Sequence, residues 1–373
     1  MNWILPDADP SGLPAAAWLL QALLVFTFAV HVVVMNVALG GGAVSAATLL
    51  LGRSRTRRGD GEGALRCQAL AHEVVSLLPV ASAFTITTGV APLLFLQVLY
   101  GQLFYSSSVL MAWPWLAIVP LLLVGYYAHY GLSFALTANE TDKGGVAWLR
   151  RMAPAIASIG FALFVIVGFT FTNNMTLMLR PDRFAALYAA SDAGLHTNVG
   201  DLWVWPRFAH MLVGALAVAG LVIGLVGRAR ERRGGVYGGW IAGVGSRLFV
   251  GATLLQVVVG ILLFLSLPTI VRRIFLQGGP ETMVIATALV FAIIALLSVR
   301  RSVVAAAIAL VVTIADMAIV RDMVRRLTLV PYFSVDELAV RPQTTVMVVF
   351  LVLLVAGLAT VTWMVRAVGR SRQ

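Results

Sequence analysis

The fold class predicted is all-α: a polytopic membrane helix bundle of about nine transmembrane helices. Three observations predict it. Hydrophobic residues make up 60% of the 373-residue chain and charged residues only 12%. Apolar runs of about 20 residues, the length that spans a bilayer as helix, recur from one end to the other. The arginines fall in short segments between those runs, as topology signals do, so the net charge of +11 points to membrane orientation and not to nucleic acid.

The spans follow in order, bounded by Gly/Pro punctuation and charged clusters: 14–51, 72–100, 112–137, 152–172, 205–227, 241–267, 282–299, 302–322 and 344–366. The first is long, and its opening MNWILPDADPSG has no basic segment, so it reads as a true span and not as a cleaved signal. Residues 173–207 form the longest connection and are expected to carry a short amphipathic segment. No internal repeat or low-complexity tract interrupts the series, so residues 1–373 read as a single membrane domain.

Nine spans put the termini on opposite sides, and the basic residues choose which. Of the 27 Lys and Arg, 18 lie in GRSRTRRGDGEGALR, NETDKGGVAWLRR, RARERRGGVYGGW with Arg247, VRR at 299–301 and the tail RAVGRSRQ. The remaining 9 lie on the other side. The positive-inside rule then predicts the N-terminus outside and the C-terminus in the cytoplasm. The expected location is a bacterial cytoplasmic (inner) membrane, crossed many times. The single cysteine, Cys67, excludes an internal disulfide and covalent c-type haem attachment through C-x-x-C-H.

Ionisable groups inside membrane helices are candidate functional groups. At 1.5 Å of rise per residue, four of them share the outer leaflet: His31 in FTFAVHVVVMNVALGGG, His210 in VWPRFAHMLV, Met283 in PETMVIATALV and Asp316 in VVTIADMAIVRDMVRR. Each belongs to a different span. His and Met from different helices are the usual axial pair of a low-spin b-type haem, whereas a His or carboxylate with an open sixth position suits a high-spin, ligand-binding haem. The smooth faces Gly40-Gly41-Gly42 and VGALAVAG would allow close approach of a flat group, although glycine runs also serve plain helix packing. Arg321, Arg325 and Arg326 lie beyond Asp316, where they would either neutralise haem propionates or anchor the end of span eight. His129, with Tyr127 nearby, falls in the inner half and reads equally as a packing residue or as part of a proton or quinone path. His72 and His196 read as interfacial or helix-packing residues.

The order and surroundings of these residues resemble subunit I of the cytochrome bd quinol oxidases. The resemblance covers most of the chain at the level of topology, and each position rests on span order plus one residue. It implies nine spans with the N-terminus outside. It implies His31 on a high-spin haem, His210 and Met283 on a low-spin haem b, and Asp316 in the place of a glutamate that ligates a second high-spin haem. It implies two or three haems b, one of them replaceable by haem d, and a second membrane subunit. The chain departs from the family in two places. The connection LPTIVRRIFLQGGPET is short where the family carries its quinol loop. Val119 and Tyr127 stand at about the places of two glutamates in span three.

The expected function is therefore that of a cytochrome bd-like oxidoreductase subunit of a respiratory electron-transfer complex. Electrons would come from a periplasmic donor such as a cytochrome c, or from a quinol, and pass toward oxygen or another subunit. Trp203, Trp205 and Arg207 would form the donor's docking rim. Two other expectations stand beside it: a structural subunit of such a complex depleted of haem, and a proton-coupled transporter.

Overall fold

The computed structural model describes residues 6, 7, 9–137 and 145–370. Lys143 of the second basic segment and the last residues of the basic tail lie outside the described residues. Lipid offers backbone groups no hydrogen-bonding partner, so a spanning segment satisfies its own as helix. Among the described residues, eight helical stretches are long and apolar enough to cross a membrane. They are α1 (Ala17–Arg57), α2 (Gly61–Leu110), α3 (Ala112–Leu116) running on into α4 (Ile118–Thr137), α5 (Gly145–Leu177), α7 (Val204–Arg232), α8 (Gly238–Ser266), α10 (Pro280–Ser298) and α11 (Val303–Leu329). Helix α12 (Thr344–Arg370) occupies the place of the ninth expected span. Two short helices, α6 (Phe184–Ala190) and α9 (Thr269–Leu276), lie in connections at one end of the bundle.

Several helices outrun the expected spans. The segment read as a loop between spans one and two is helical except at Arg58, Gly59 and Asp60. Gly59 turns the chain in the left-handed region (φ 77°), and the Asp60 carboxylate accepts from the Gly63 amide at 2.9 Å to start α2 at once. Helix α2 bends at Tyr100, whose φ of −131° and ψ of 29° interrupt the helical path. The expected amphipathic segment of the 173–207 connection is the seven-residue α6.

Helix α1 sits at the centre, against α2, α5, α7 and α11. Small residues make this possible. A Cβ on Gly40 would overlap the backbone oxygen of Ala215 on α7, and one on Gly41 would meet Leu78 of α2 at 3.0 Å. The α7–α8 hairpin uses the same device, with Gly220, Gly224 and Gly227 of α7 against Gly245, Phe249 and Ala242 of α8. The two smooth faces singled out in the sequence are therefore spent on helix approach: Gly40 and Gly41 meet protein backbone and side chains, not a flat group.

A large apolar cluster closes the end that carries α6 and α9. It joins Leu20 and Leu24 of α1, Leu99, Leu103 and Phe104 of α2, Met178 after α5, Val271 and Phe275 of α9, and Leu329 of α11. This cap end is opposite the basic end, where Arg53, Arg55, Arg228 and Arg230 lie. Leucine at Gly245 would push α7 and α8 apart, whereas Gly251 on the same helix faces open space. Gly245→Leu is expected to destabilise the bundle by about 1–3 kcal/mol or more and Gly251→Leu to leave it near wild type, read as thermal unfolding in detergent.

Candidate functional site

His31, His210 and Asp316 stand on α1, α7 and α11, three helices that pack on one another. His31 of α1 lies flat against Gly89 of α2, so closely that a Cβ there would sit 2.9 Å from His31 Cε1. Its Nδ1 is 3.5 Å from Thr88 Oγ1, a long contact, because that hydroxyl already donates to the Phe84 carbonyl at 2.7 Å. His210 of α7 faces Gly260 of α8, whose Cβ position is 3.5 Å from His210 Cε1. The Gln256 amide of α8 donates to the His210 carbonyl at 3.0 Å and braces this turn of α7. Yet His210 Nδ1 is buried with no hydrogen-bond partner among the described residues. The same holds for Asp316 Oδ2 on α11. Buried polar atoms are normally paired, so orphans of this kind call for a partner that the chain itself does not supply.

Four arginines stand around the same interior. Arg321 of α11 places its guanidinium 3.9 Å from the ring centroid of Phe28, one turn before His31 on α1. Arg325 lies 5.1 Å from the Tyr100 ring and pairs with Asp322 at 3.2 Å; both are 5% exposed. Arg326, which is exposed, takes the other Asp322 oxygen at 3.0 Å. Arg207 of α7 lies 5.5 Å from the Trp203 ring, and its Nη1 is buried without a partner among the described residues. Trp203 is 5% exposed, so neither it nor Arg207 forms the surface rim expected from the sequence. The cause is local: α7 starts at Val204, and Trp203 and Arg207, four residues apart, share its inward face. Trp205, half exposed, donates from Nε1 to the Val199 carbonyl at 3.0 Å.

Other sequence candidates stand apart. Met283, near the start of α10, is 65% exposed. His129 of α4 is fully enclosed, with Nδ1 2.7 Å from Ser82 Oγ and its ring stacked on Phe164 at a centroid distance of 4.9 Å. Its Nε2 has no partner among the described residues and looks toward Gly42 and Gly160. Tyr127 points outward beside Tyr126, so it does not continue a path from His129. His72 is exposed, and His196 is held by the Ser191 carbonyl at 2.7 Å.

Above the interior, the connection between α5 and α7 is locked by ion pairs. Arg180 reaches Asp182 at 2.9 Å and Asp201 at 2.8 Å, and Arg183 donates to Asn198 at 2.9 Å. The hydrogen bonds to Asp182 hold the Arg180 guanidinium above its ordinary pKa, against the opposing effect of burial. Beside this lock a cavity of about 200 Å³ opens between α1, α10 and α11, with Gln21, Tyr100, Glu281, Arg326, Ser334 and Asp336 among its lining.

Sequence reasoning missed Arg207 and Asp322 as parts of the interior. The available signal was spacing, since Arg207 precedes His210 by three positions on one helix. No protein-family model, curated protein or solved structure matches the chain. Arg180→Met would leave the Asp201 carboxylate, whose side chain is 11% exposed, with the Trp203 amide at 3.1 Å and a 4.0 Å contact to Arg183. It is expected to cost about 1–2 kcal/mol, measured as a lower melting temperature, with no change at the interior histidines.

Proposed function

We propose that the protein is a haem-binding redox subunit of a bacterial cytoplasmic-membrane electron-transfer complex, of the kind cytochrome bd subunit I represents. One observation carries the reading: the His210 imidazole and the Asp316 carboxylate, two groups of axial-ligand type, each hold a buried atom with no partner among the described residues, on helices that pack with His31 and an excess of arginine. A buried imidazole nitrogen and carboxylate oxygen without partners are what a metal-centred group requires and what a packed structural helix avoids. In this reading the cap end faces outside and the basic end faces the cytoplasm, following the positive-inside rule.

The residues take distinct roles. His210 supplies an axial nitrogen, and Gln256 fixes the backbone turn that presents it. His31, packed on Gly89, and Asp316 supply the ligands of one or two further groups that keep a position open. Met283 is the proposed partner of His210; its exposure means that its side chain must turn onto the bundle to serve. Two or three haems b, or one haem d among them, would supply one-electron carriers near the outside surface. The donor is a periplasmic redox protein or a quinol, the acceptor oxygen or an adjoining second subunit. With α9 filling the short connection between α8 and α10, the cavity lined by Glu281 and Arg326 is the exposed approach to this interior.

The test is a dithionite-reduced minus air-oxidised spectrum with a pyridine haemochrome count on the same purified sample. A sharp low-spin b-type band with two or three haems per chain is expected. His210→Ala should abolish that band, Met283→Leu should convert it to high spin, and His31→Ala should remove a carbon monoxide-sensitive component. A well-folded preparation without haem would leave a structural subunit as the reading.

A further inference from the structure

We propose that Arg207, Arg321 and Arg325 form a site for paired carboxylates, which seats the acidic edge of a planar macrocycle at the cap end of the bundle. This rests on the haem reading for the identity of the macrocycle and not for the anion site itself.

The argument starts from charge. The three guanidiniums come from two helices that touch, α7 and α11: Arg321 and Arg325 stand four residues apart on α11, and Arg207 lies beside Trp203, which shares an apolar cluster with the Tyr100 ring next to Arg325. Like charges do not gather inside a membrane bundle without a counter-charge. The carboxylate that faces them is Asp322, and it is shared between Arg325 and the exposed Arg326. Assigning all of Asp322 to Arg325 still leaves two positive charges, on Arg207 and Arg321. Neither makes an ion pair within 4 Å among the described residues. What they have instead are ring faces, Phe28 under Arg321 and Trp203 beside Arg207, and an orphaned Arg207 Nη1.

The shape agrees. Arg321 is only partly buried and stands over the Phe28 ring, so its guanidinium is not closed off by protein partners. A guanidinium presents its N–H groups as a fork in one plane, which matches two oxygens of a carboxylate. Two uncompensated forks therefore suit a dianion with two separate carboxylates better than a single small anion. The positions also set direction. Arg207 lies one turn toward the cap from His210 on α7, and Arg321 and Arg325 lie one to two turns toward the cap from Asp316 on α11. A planar ligand held by its acidic edge at the arginines would extend its ring toward the level of the orphaned His210 and Asp316 atoms.

The experiment uses the full chain, purified in detergent and freed of tetrapyrrole. It is titrated with metal-free protoporphyrin IX and with its dimethyl ester, followed by porphyrin fluorescence. Neither carries iron, so the histidines contribute no coordination and the carboxylates alone differ. The free acid is expected to bind at least about tenfold more tightly than the diester, the size of one or more charge-assisted hydrogen bonds. Arg321→Gln and Arg207→Gln should each shrink that ratio, whereas Arg301→Gln at the basic end should keep it. Wild-type protein alone decides the matter should a variant fail to fold. Equal binding of acid and ester, or no binding of the acid, overturns the proposal. So does displacement of the acid by phosphatidylglycerol vesicles together with phosphatidylglycerol retained through purification, which would make this a phospholipid headgroup site. A haem-containing protein that binds acid and ester alike sinks the carboxylate site and leaves the redox reading. A haem-free protein that still prefers the acid does the reverse.

Discussion

The close approach of α1 to its neighbours is the constraint on which the rest of the structure depends. A helix carrying side chains of ordinary size cannot touch α2, α5, α7 and α11 at once, because each contact holds the axes about 8–10 Å apart. Gly40 and Gly41 remove that limit on two sides, and Gly42 leaves room for the His129 and Phe161 rings on a third. With α1 drawn in, Phe28 and His31, two to three turns toward the cap, come to face Arg321 of α11 and Gly89 of α2. The glycine run thus builds the site at a distance, through helix position and without lining it.

Much of the fold is legible in the sequence because lipid enforces it. Apolar length, basic connections and helix-terminating residues state where helices cross, and among the described residues eight of the nine expected spans are helices long and apolar enough to cross. Connections were harder. The α1–α2 and α7–α8 turns are three and five residues at most because capping and a left-handed glycine close them, whereas composition alone suggested longer loops. Height within the membrane is also readable by counting residues. Azimuth is not. Helix α10 is apolar all round, so nothing in its sequence says which side faces inward, and Met283 stands on an exposed one. For α7 the segment WVWPR suggested an interface rim, and only the inward turn at Trp203 shows that Arg207 belongs to the interior.

The two kinds of orphan in the interior reinforce one another. An unpartnered imidazole nitrogen alone is a modest burden, about 1–3 kcal/mol. Uncompensated guanidiniums are a much heavier one, several kcal/mol each after relaxation, and a ring face under each returns only about 0.5–2 kcal/mol. Asp322 cannot remove the difference, because it is divided between Arg325 and Arg326. Within the proposed reading the missing partner must therefore be both anionic at the arginines and ligand-accepting at His210 and Asp316. A free phosphate satisfies the first requirement only, and a bare metal ion the second only. A metallated macrocycle with carboxylates satisfies both.

The position of Asp322 adds a last step. Its two oxygens tie a buried arginine to an exposed one, and the exposed one lines the cavity that opens toward the cap surface. Tyr100 belongs to both regions: its ring lies beneath Arg325 while it lines that cavity, and its hydroxyl is buried with no hydrogen-bond partner among the described residues. The bend of α2 at Tyr100 is what brings the ring there, since a straight helix would carry it along another line. Tyr100 and the Asp322 pair thus link the cavity to the buried Arg325, so a change in the cavity lining at Arg326 bears directly on the charge balance inside.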